Sequence, residues 1–290
     1  METNKNLNSK RIGITCIIIS AFCFSLMSLF VRLAGDLPTM QKALFRNLVA
    51  AFVAAALLIK SGEKVSLDRR LFPDLALRCG FGTIGLIANF YAIDHLNISD
   101  ANMLNKLSPF FAVLMSIFIL GEKAKTYDWI AIVLAFSGAL LVIKPGFSLA
   151  SGAALIGLSS GFFAGVAYTF VRKLGKQGMR GPVIVFVFST FSTLVCLPFY
   201  IMDYQPMSMA QTLCLFMAGI SAAGAQLAIT KAYTYAPAKE ISVYDYTQVI
   251  FAAIWGFFAF HQIPDVFSFL GYAIIIAAAI LRWNHDRKAQ

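Results

Sequence analysis

The sequence predicts an all-α membrane protein with ten transmembrane helices in two inverted five-helix repeats. Three observations carry this expectation. Apolar residues make up 59% of the chain and charged residues 13%, with a mean hydropathy of +0.74, whereas a soluble chain is nearer half apolar and a quarter charged. The apolar residues fall into ten runs, most of them close to the ~20 residues that cross a ~30 Å hydrocarbon core. A shift of 140 residues lays the last five runs on the first five almost without gaps.

The first run, 12–34, follows Lys10-Arg11 as a signal peptide would. It is too long for such a segment and has no small-x-small cleavage site, so it reads as the first span. Gly35-Asp36-Leu37-Pro38 turns the chain into the second run, 40–60, and runs 72–94, 101–121 and 127–144 follow. Lys144-Pro145-Gly146 breaks the chain before the sixth run, 150–172, and Lys176-Gln177-Gly178 before the seventh, 182–202. The eighth and ninth runs are 209–235 and 240–261, and Ile263-Pro264-Asp265 separates them from the tenth, 266–282. These runs are about twice the length of a barrel strand and do not alternate. The expected division is an N-terminal segment 1–11, repeats 12–144 and 150–282 joined by 145–149, and a tail 283–290.

The shift places Ser20, Phe22, Phe30, Val31, Arg32 and Gly35 on Ser160, Phe162, Phe170, Val171, Arg172 and Gly175. Five spans per copy is an odd number, so the second copy is inverted in the membrane. Inverted copies give two states of similar energy, each open to one side, which is the logic of alternating access. With the N-terminus in the cytoplasm, 17 of the 24 basic residues fall in inner regions, and only Arg32, Lys42 and Lys144 in outer ones. The positive-inside rule therefore expects a multi-pass protein of the cell membrane with both termini cytoplasmic.

The formal net charge of +10 does not point to nucleic acid, because the basic residues are spread through short loops instead of forming one patch. Cys16, Cys23, Cys79, Cys196 and Cys214 all lie in apolar segments without metal spacing. They read as packing residues, with no disulfide, metal or cofactor expected. There is no HExxH, no phosphate loop and no nucleophile–base pair, so the chain does not read as an enzyme.

Two stretches, "FYAIDHLNISDANMLNKLSPFFAVLMSIFILGEK" (90–123) and "KAYTYAPAKEISVYDYTQVIFAAIWGFFAF" (231–260), resemble the drug/metabolite transporter superfamily in its EamA-type branch. The resemblance covers nearly the whole chain and specifies a fold better than a substrate. It implies a central cavity lined by spans 3, 4, 8 and 9, with spans 5 and 10 packed at the back or at a dimer contact. The sequence departs from it where His261-Gln262 stands at the position of Gly121-Glu122 in the first copy.

Ionisable groups inside spans are costly and usually face protein or a watery cavity. On the fourth span, Asn102, Asn105, Lys106 and Pro109 recur at i, i+3, i+4 and i+7, one helical face. Lys106 reads as a contact for a substrate carboxylate or phosphate, or as a lysine snorkelling to the interface. Pro109 removes a backbone hydrogen bond and is expected to kink the helix. On the ninth span, Tyr244, Asp245 and Gln248 belong to a polar start, and Asp245 is the repeat mate of Asn105. Gln226, Thr230 and Tyr233 share a face of the eighth span, beside Lys231, and Gly82, Gly85 and Asn89 share one of the third. Tyr91 is the repeat mate of Lys231, and Arg46 and Trp255 complete the candidate set.

A straight-helix count puts Lys106 roughly 9 Å below one membrane face and Asp245 roughly 7 Å above the other. That predicts opposite ends of one path instead of an ion pair. The functional expectation is a secondary active transporter of a small polar organic metabolite such as an amino acid or carboxylate, coupled to protons or working by exchange. The expected partners are that solute, the bilayer, a coupling proton and a second copy of the chain. Gly138, Ala139, Ala278 and Ala279 offer a small-residue surface for dimerisation or for internal packing. The alternatives are a structural or receptor protein without flux, and a membrane-embedded enzyme acting on a lipid.

Overall fold

The computed structural model describes residues 2–61, 69–121, 126–144, 149–235 and 242–288. Among these no strand occurs, and ten stretches are long and apolar enough to cross a membrane. The helices are α1 (Glu2–Leu33), α2 (Thr39–Ser61), α3 (Phe72–His95), α4 (Ile98–Asn105), α5 (Ser108–Leu120), α6 (Thr126–Ile143), α7 (Leu149–Lys176), α8 (Gly181–Met202), α9 (Met209–Tyr235), α10 (Thr247–Phe260) and α11 (Val266–Lys288). Three spans are not single helices. In the third, a 3-10 turn over Arg69–Leu71 leads into α3. The fourth is α4 followed by α5, and the ninth is a 3-10 turn over Ser242–Tyr246 followed by α10.

The pairing of helices obeys the repeat. α1 packs along α9 while its counterpart α7 packs along α3, and α7 also holds the broken fourth span as α1 holds the ninth. The self-related pairs are α2 with α8, α6 with α11, and α4 with α10. The inverted two-repeat architecture expected from sequence is therefore the one observed. Large apolar side chains such as Phe52, Phe118, Val133 and Leu213 stand exposed on the outer surface, where lipid replaces water.

Glycine decides two close approaches. A Cβ at Gly138 would lie 2.9 Å from the Gly271 carbonyl oxygen, and one at Gly271 2.6 Å from that of Gly138. These residues, with buried Ala139 and Ala278, join α6 to α11 within one chain. The small-residue surface considered for a dimer is taken up by internal packing. On α7, Gly157, Gly161 and Gly165 recur every fourth residue and face the fourth span. A Cβ at Gly161 would meet the Leu104 carbonyl oxygen at 2.6 Å, and one at Gly165 the Ser108 carbonyl oxygen at 2.7 Å. The fourth span therefore brings its backbone, as well as side chains such as Leu104, Phe111 and Asn105, directly against α7.

The substitution of His261 for Gly121 leaves the backbone unchanged. Both residues close their helices in the left-handed region, at φ 66° for Gly121 and 52° for His261. Gln262 then accepts a hydrogen bond from the Ile98 backbone N–H at 3.1 Å, tying the end of α10 to the start of α4. Glu122 lies outside the described residues. At the face carrying the α6–α11 connection, Lys144 bonds Asp265 at 2.6 Å. That bond and the Ser268 backbone N–H hold the exposed Asp265 carboxyl below its ordinary range.

Candidate functional site

The fourth span breaks where its sequence demands. Proline at 109 has no N–H and its ring crowds the carbonyl four residues earlier, that of Asn105. α4 ends at Asn105, Lys106 and Leu107 form a tight turn, and α5 starts at Ser108 with Pro109 in its first turn. Phe110 donates its backbone N–H to the Leu107 carbonyl, leaving the Lys106 carbonyl outside the helical ladder. Tyr246 fills that vacancy by donating its hydroxyl to the Lys106 carbonyl at 3.1 Å. Tyr246 is the repeat mate of Lys106, so the two broken spans meet at their breaks.

The same junction holds an ion pair. Lys106 Nζ lies 2.6 Å from Asp245 Oδ2, with both side chains less than a tenth exposed. This corrects the expectation that the two residues occupy opposite ends of a path. That count treated them as points on straight rods and began the fourth span at 101. The span begins at Ile98, which puts Lys106 eight residues, or ~12 Å, into it. The four-carbon stem of lysine and the crossing of α4 with α10 close the remaining gap. Lys106 is therefore buried and paired instead of snorkelling to an interface. Its Nζ also stands 5.8 Å from the centroid of the Phe24 ring, a cation–π arrangement.

Beside this pair lies a cavity of ≈ 80 Å³. Its lining contains repeat mates from both copies: Phe24 with Ala164, Met27 with Ala167, and Leu86 with Gln226. The cavity therefore straddles the pseudo-twofold axis. It is lined from α1, α2, α7 and α8 as well as from spans 3, 4, 8 and 9, a wider set than the four spans expected. Its charged lining residues are Arg46, Arg78 and Lys106, all buried.

Buried polar atoms are normally hydrogen-bonded, and each exception calls for an explanation. Among the described residues, such exceptions gather here. They include Arg46 Nε, Arg78 Nε, Asn89 Oδ1 and Gln248 Oε1 on the cavity wall, and Asp245 Oδ1 just behind Lys106. Donors and acceptors are thus both left open around one space.

Of the residues singled out in the sequence, Arg46, Asn89, Asn105, Lys106, Gln226 and Gln248 line the cavity. Asn105 donates to Ser160 Oγ at 3.1 Å and so also ties α4 to α7. Four others are placed elsewhere. Asn102 is fully buried, accepting from Ser28 at 3.2 Å and from Gln248 Nε2, and donating to the Ile98 carbonyl. Its side chain is spent on Ser28, Gln248 and the Ile98 carbonyl and does not line the cavity. Tyr91 stacks on His95 with centroids 4.0 Å apart. Trp255 donates Nε1 to Ser25 at 3.1 Å, against α1. Tyr244 packs edge-on to Trp283. The side chains of Thr230 and Tyr233 lie outside the described residues.

Arg78 and Tyr168 line the cavity and were not in the candidate set. Arg78 was recognisable as a charge inside an apolar run, the usual mark of a functional position in a membrane. Its guanidinium lies 4.1 Å from the centroid of the Phe188 ring. Tyr168 carried no signal, since a lone tyrosine in an apolar helix is ordinary packing.

Known proteins agree with this architecture. The EamA-like transporter family matches the chain twice, over residues 11–144 and 151–283. The chain belongs to that family. It is accordingly a multi-pass membrane transporter of the drug/metabolite transporter superfamily, not an enzyme. The transporter is 31% identical over 272 residues to the pseudopaline exporter CntI of Pseudomonas aeruginosa, covering 92% of this chain and 94% of the relative. It is 28% identical to a riboflavin transporter of Vibrio cholerae, covering 94% and 93%. It is 25% identical to the human solute carrier family 35 member G1, covering 99% and 84%. A crystal structure of a chain 17% identical shares the fold, with a TM-score of 0.71 and coverage of 97% and 99%.

Proposed function

We infer that this transporter is a secondary active carrier working by alternating access, and that its cargo is a small polar organic metabolite bearing a carboxylate. The observation that carries this reading is the cluster of unpartnered donors and acceptors around a single cavity at the junction of the repeats. An amino acid offers the complement of both. Its carboxylate suits the guanidinium donors of Arg46 and Arg78, and its ammonium suits the oxygens of Asn89, Gln248 and Asp245. Relatives named for pseudopaline and riboflavin support a small polar organic cargo, and the one named as an exporter supports outward transport.

The Lys106–Asp245 pair supplies a coupling device in this reading. It joins the broken span of one repeat to that of the other, so rearrangement of the repeats must strain or separate it. Protonation of Asp245 frees Lys106 for a substrate carboxylate, and loss of the proton restores the pair. Asp245→Asn is expected to keep substrate exchange in proteoliposomes and to lose uphill transport driven by a pH gradient. Uphill transport in that variant removes the proton from Asp245. The positive-inside count supports cytoplasmic termini in a cell membrane, which the compartment of a reporter fused to Gln290 checks.

A further inference from the structure

We propose that Arg46 and Arg78 form a paired-guanidinium subsite for an oxyanion carrying at least two negative charges, so that the cargo is a polycarboxylate instead of a simple neutral amino acid. This rests on reading the cavity as the substrate site and names the class of substrate it selects.

Arg46 is 1% exposed and Arg78 4%. An isolated ion moved from water into protein costs several kcal/mol even after relaxation, and two like charges cost more. Buried arginines are therefore normally matched by carboxylates. Neither guanidinium forms an ion pair among the described residues. The ionisable neighbours that bear on Arg46 are Tyr168 and Arg78 itself, and those on Arg78 are Cys79 and Tyr168. Asp245, the carboxylate near the cavity, is engaged by Lys106. The pair of guanidiniums thus keeps two positive charges uncompensated on the cavity wall.

Their protein contacts are few. Arg46 donates Nη1 to Asn47 Oδ1 at 2.6 Å, while Arg78 rests on the Phe188 ring, and the Nε of each is without a partner. These contacts orient the groups without saturating them. Guanidinium presents a planar fork of donors that matches carboxylate oxygens two at a time.

The site is also asymmetric. The repeat mates of Arg46 and Arg78 are Phe186 and Ala218, so the second copy carries no counterpart. The double charge is thus a property of this pair of positions and not of the repeated scaffold. Gly82 leaves the room that Arg78 occupies, since a Cβ there would sit 2.1 Å from Arg78 Nη1.

The test is ligand-induced thermal stabilisation of the purified full-length transporter, with alanine, glutamate, succinate, citrate and inorganic phosphate as probes. Binding to the folded state raises the melting temperature by mass action. Glutamate, succinate or citrate should stabilise the protein and alanine should not. Arg46→Gln and Arg78→Gln should each weaken the apparent affinity by about tenfold or more, the scale of one lost charge-assisted contact. The exposed Arg11→Gln should leave it unchanged. Gly82→Ala keeps both charges but displaces Arg78, and should weaken binding without removing a donor.

A shift by phosphate alone, lost in both arginine variants, keeps the dianion subsite but overturns the polycarboxylate as its cargo. Equal shifts by alanine and the dianions, dianion shifts that survive both variants, or no shift with any probe each overturn the proposal. Flux of labelled amino acids without these shifts removes the subsite and leaves the transport reading intact. Shifts without flux do the reverse.

Discussion

Lys106→Met is expected to abolish transport and to destabilise the folded protein by about 3–5 kcal/mol. The substitution keeps the length and apolar stem of the side chain and removes its charge. Asp245 is then a buried carboxylate with neither oxygen partnered, since Oδ1 already lacks a hydrogen bond. The cost is that of the stranded anion. The double variant Lys106→Met/Asp245→Asn should therefore recover much of the lost stability, because replacing both members of a buried pair is often close to neutral. Transport should stay absent in the double variant. Thermal unfolding and flux measured on the native protein, the Lys106→Met variant and the double variant check this. Full stability in the single variant shows that the pair does not form, and flux in the double variant shows that the pair has no part in transport.

Gly165→Leu is expected to produce a comparably large effect for a different reason. A Cβ at this position would stand 2.6 Å from Phe111 Cβ, 2.7 Å from the Ser108 carbonyl oxygen and 2.9 Å from the Ala112 nitrogen. Two of these are backbone atoms that no rotamer change can move. Overpacking of this kind costs about 1–3 kcal/mol or more. It also pushes α5 away from α7, and with it the turn that holds Lys106. Flux should fall together with thermal stability. Gly152→Leu on the same helix serves as the comparison, because nothing lies within 4 Å of its added Cβ. Its effect should stay within about 0.5 kcal/mol. Equal losses in the two variants point to the helical backbone instead of the contact with the fourth span.

These two expectations also show which features the sequence made legible. Length and hydropathy alone specify ten spans, and the 140-residue shift specifies inverted repeats, because both follow from periodicities that local chemistry imposes. The polar stripe on the fourth span is equally plain. Its consequence is not, because the stripe assumes an unbroken helix. Proline at 109 ends α4 at Asn105 and sets Lys106 in the turn facing Asp245, while on α4 itself the packed neighbours direct Asn102 to Ser28 and Gln248 and Asn105 to Ser160. A kink is readable from one proline, but the direction in which it sends each side chain depends on α7 and α10.

Arg78 and the Gly157, Gly161, Gly165 row illustrate the other limit. The arginine stands in plain view inside an apolar run, one of four basic residues, with Arg46, Lys106 and Lys231, that lie within or near the runs and outside the orientation count. The glycines recur at helical spacing, yet their role depends on which helix they face. Both roles depend on α3 and α7 packing together beside the fourth span.

In the proposed mechanism, one cavity at the junction of the repeats, beside the Lys106–Asp245 pair, opens alternately to the two faces of the membrane. Two-sided thiol labelling tests it most directly. The five native cysteines are free, so they can be replaced and a single cysteine placed at Gln226 on the cavity wall. A membrane-impermeant maleimide is then supplied either outside or inside proteoliposomes that retain flux. Labelling of Gln226→Cys from both faces, slowed from both by saturating substrate, is the predicted result. Labelling from one face alone, whatever the substrate or pH gradient, contradicts alternating access through this cavity.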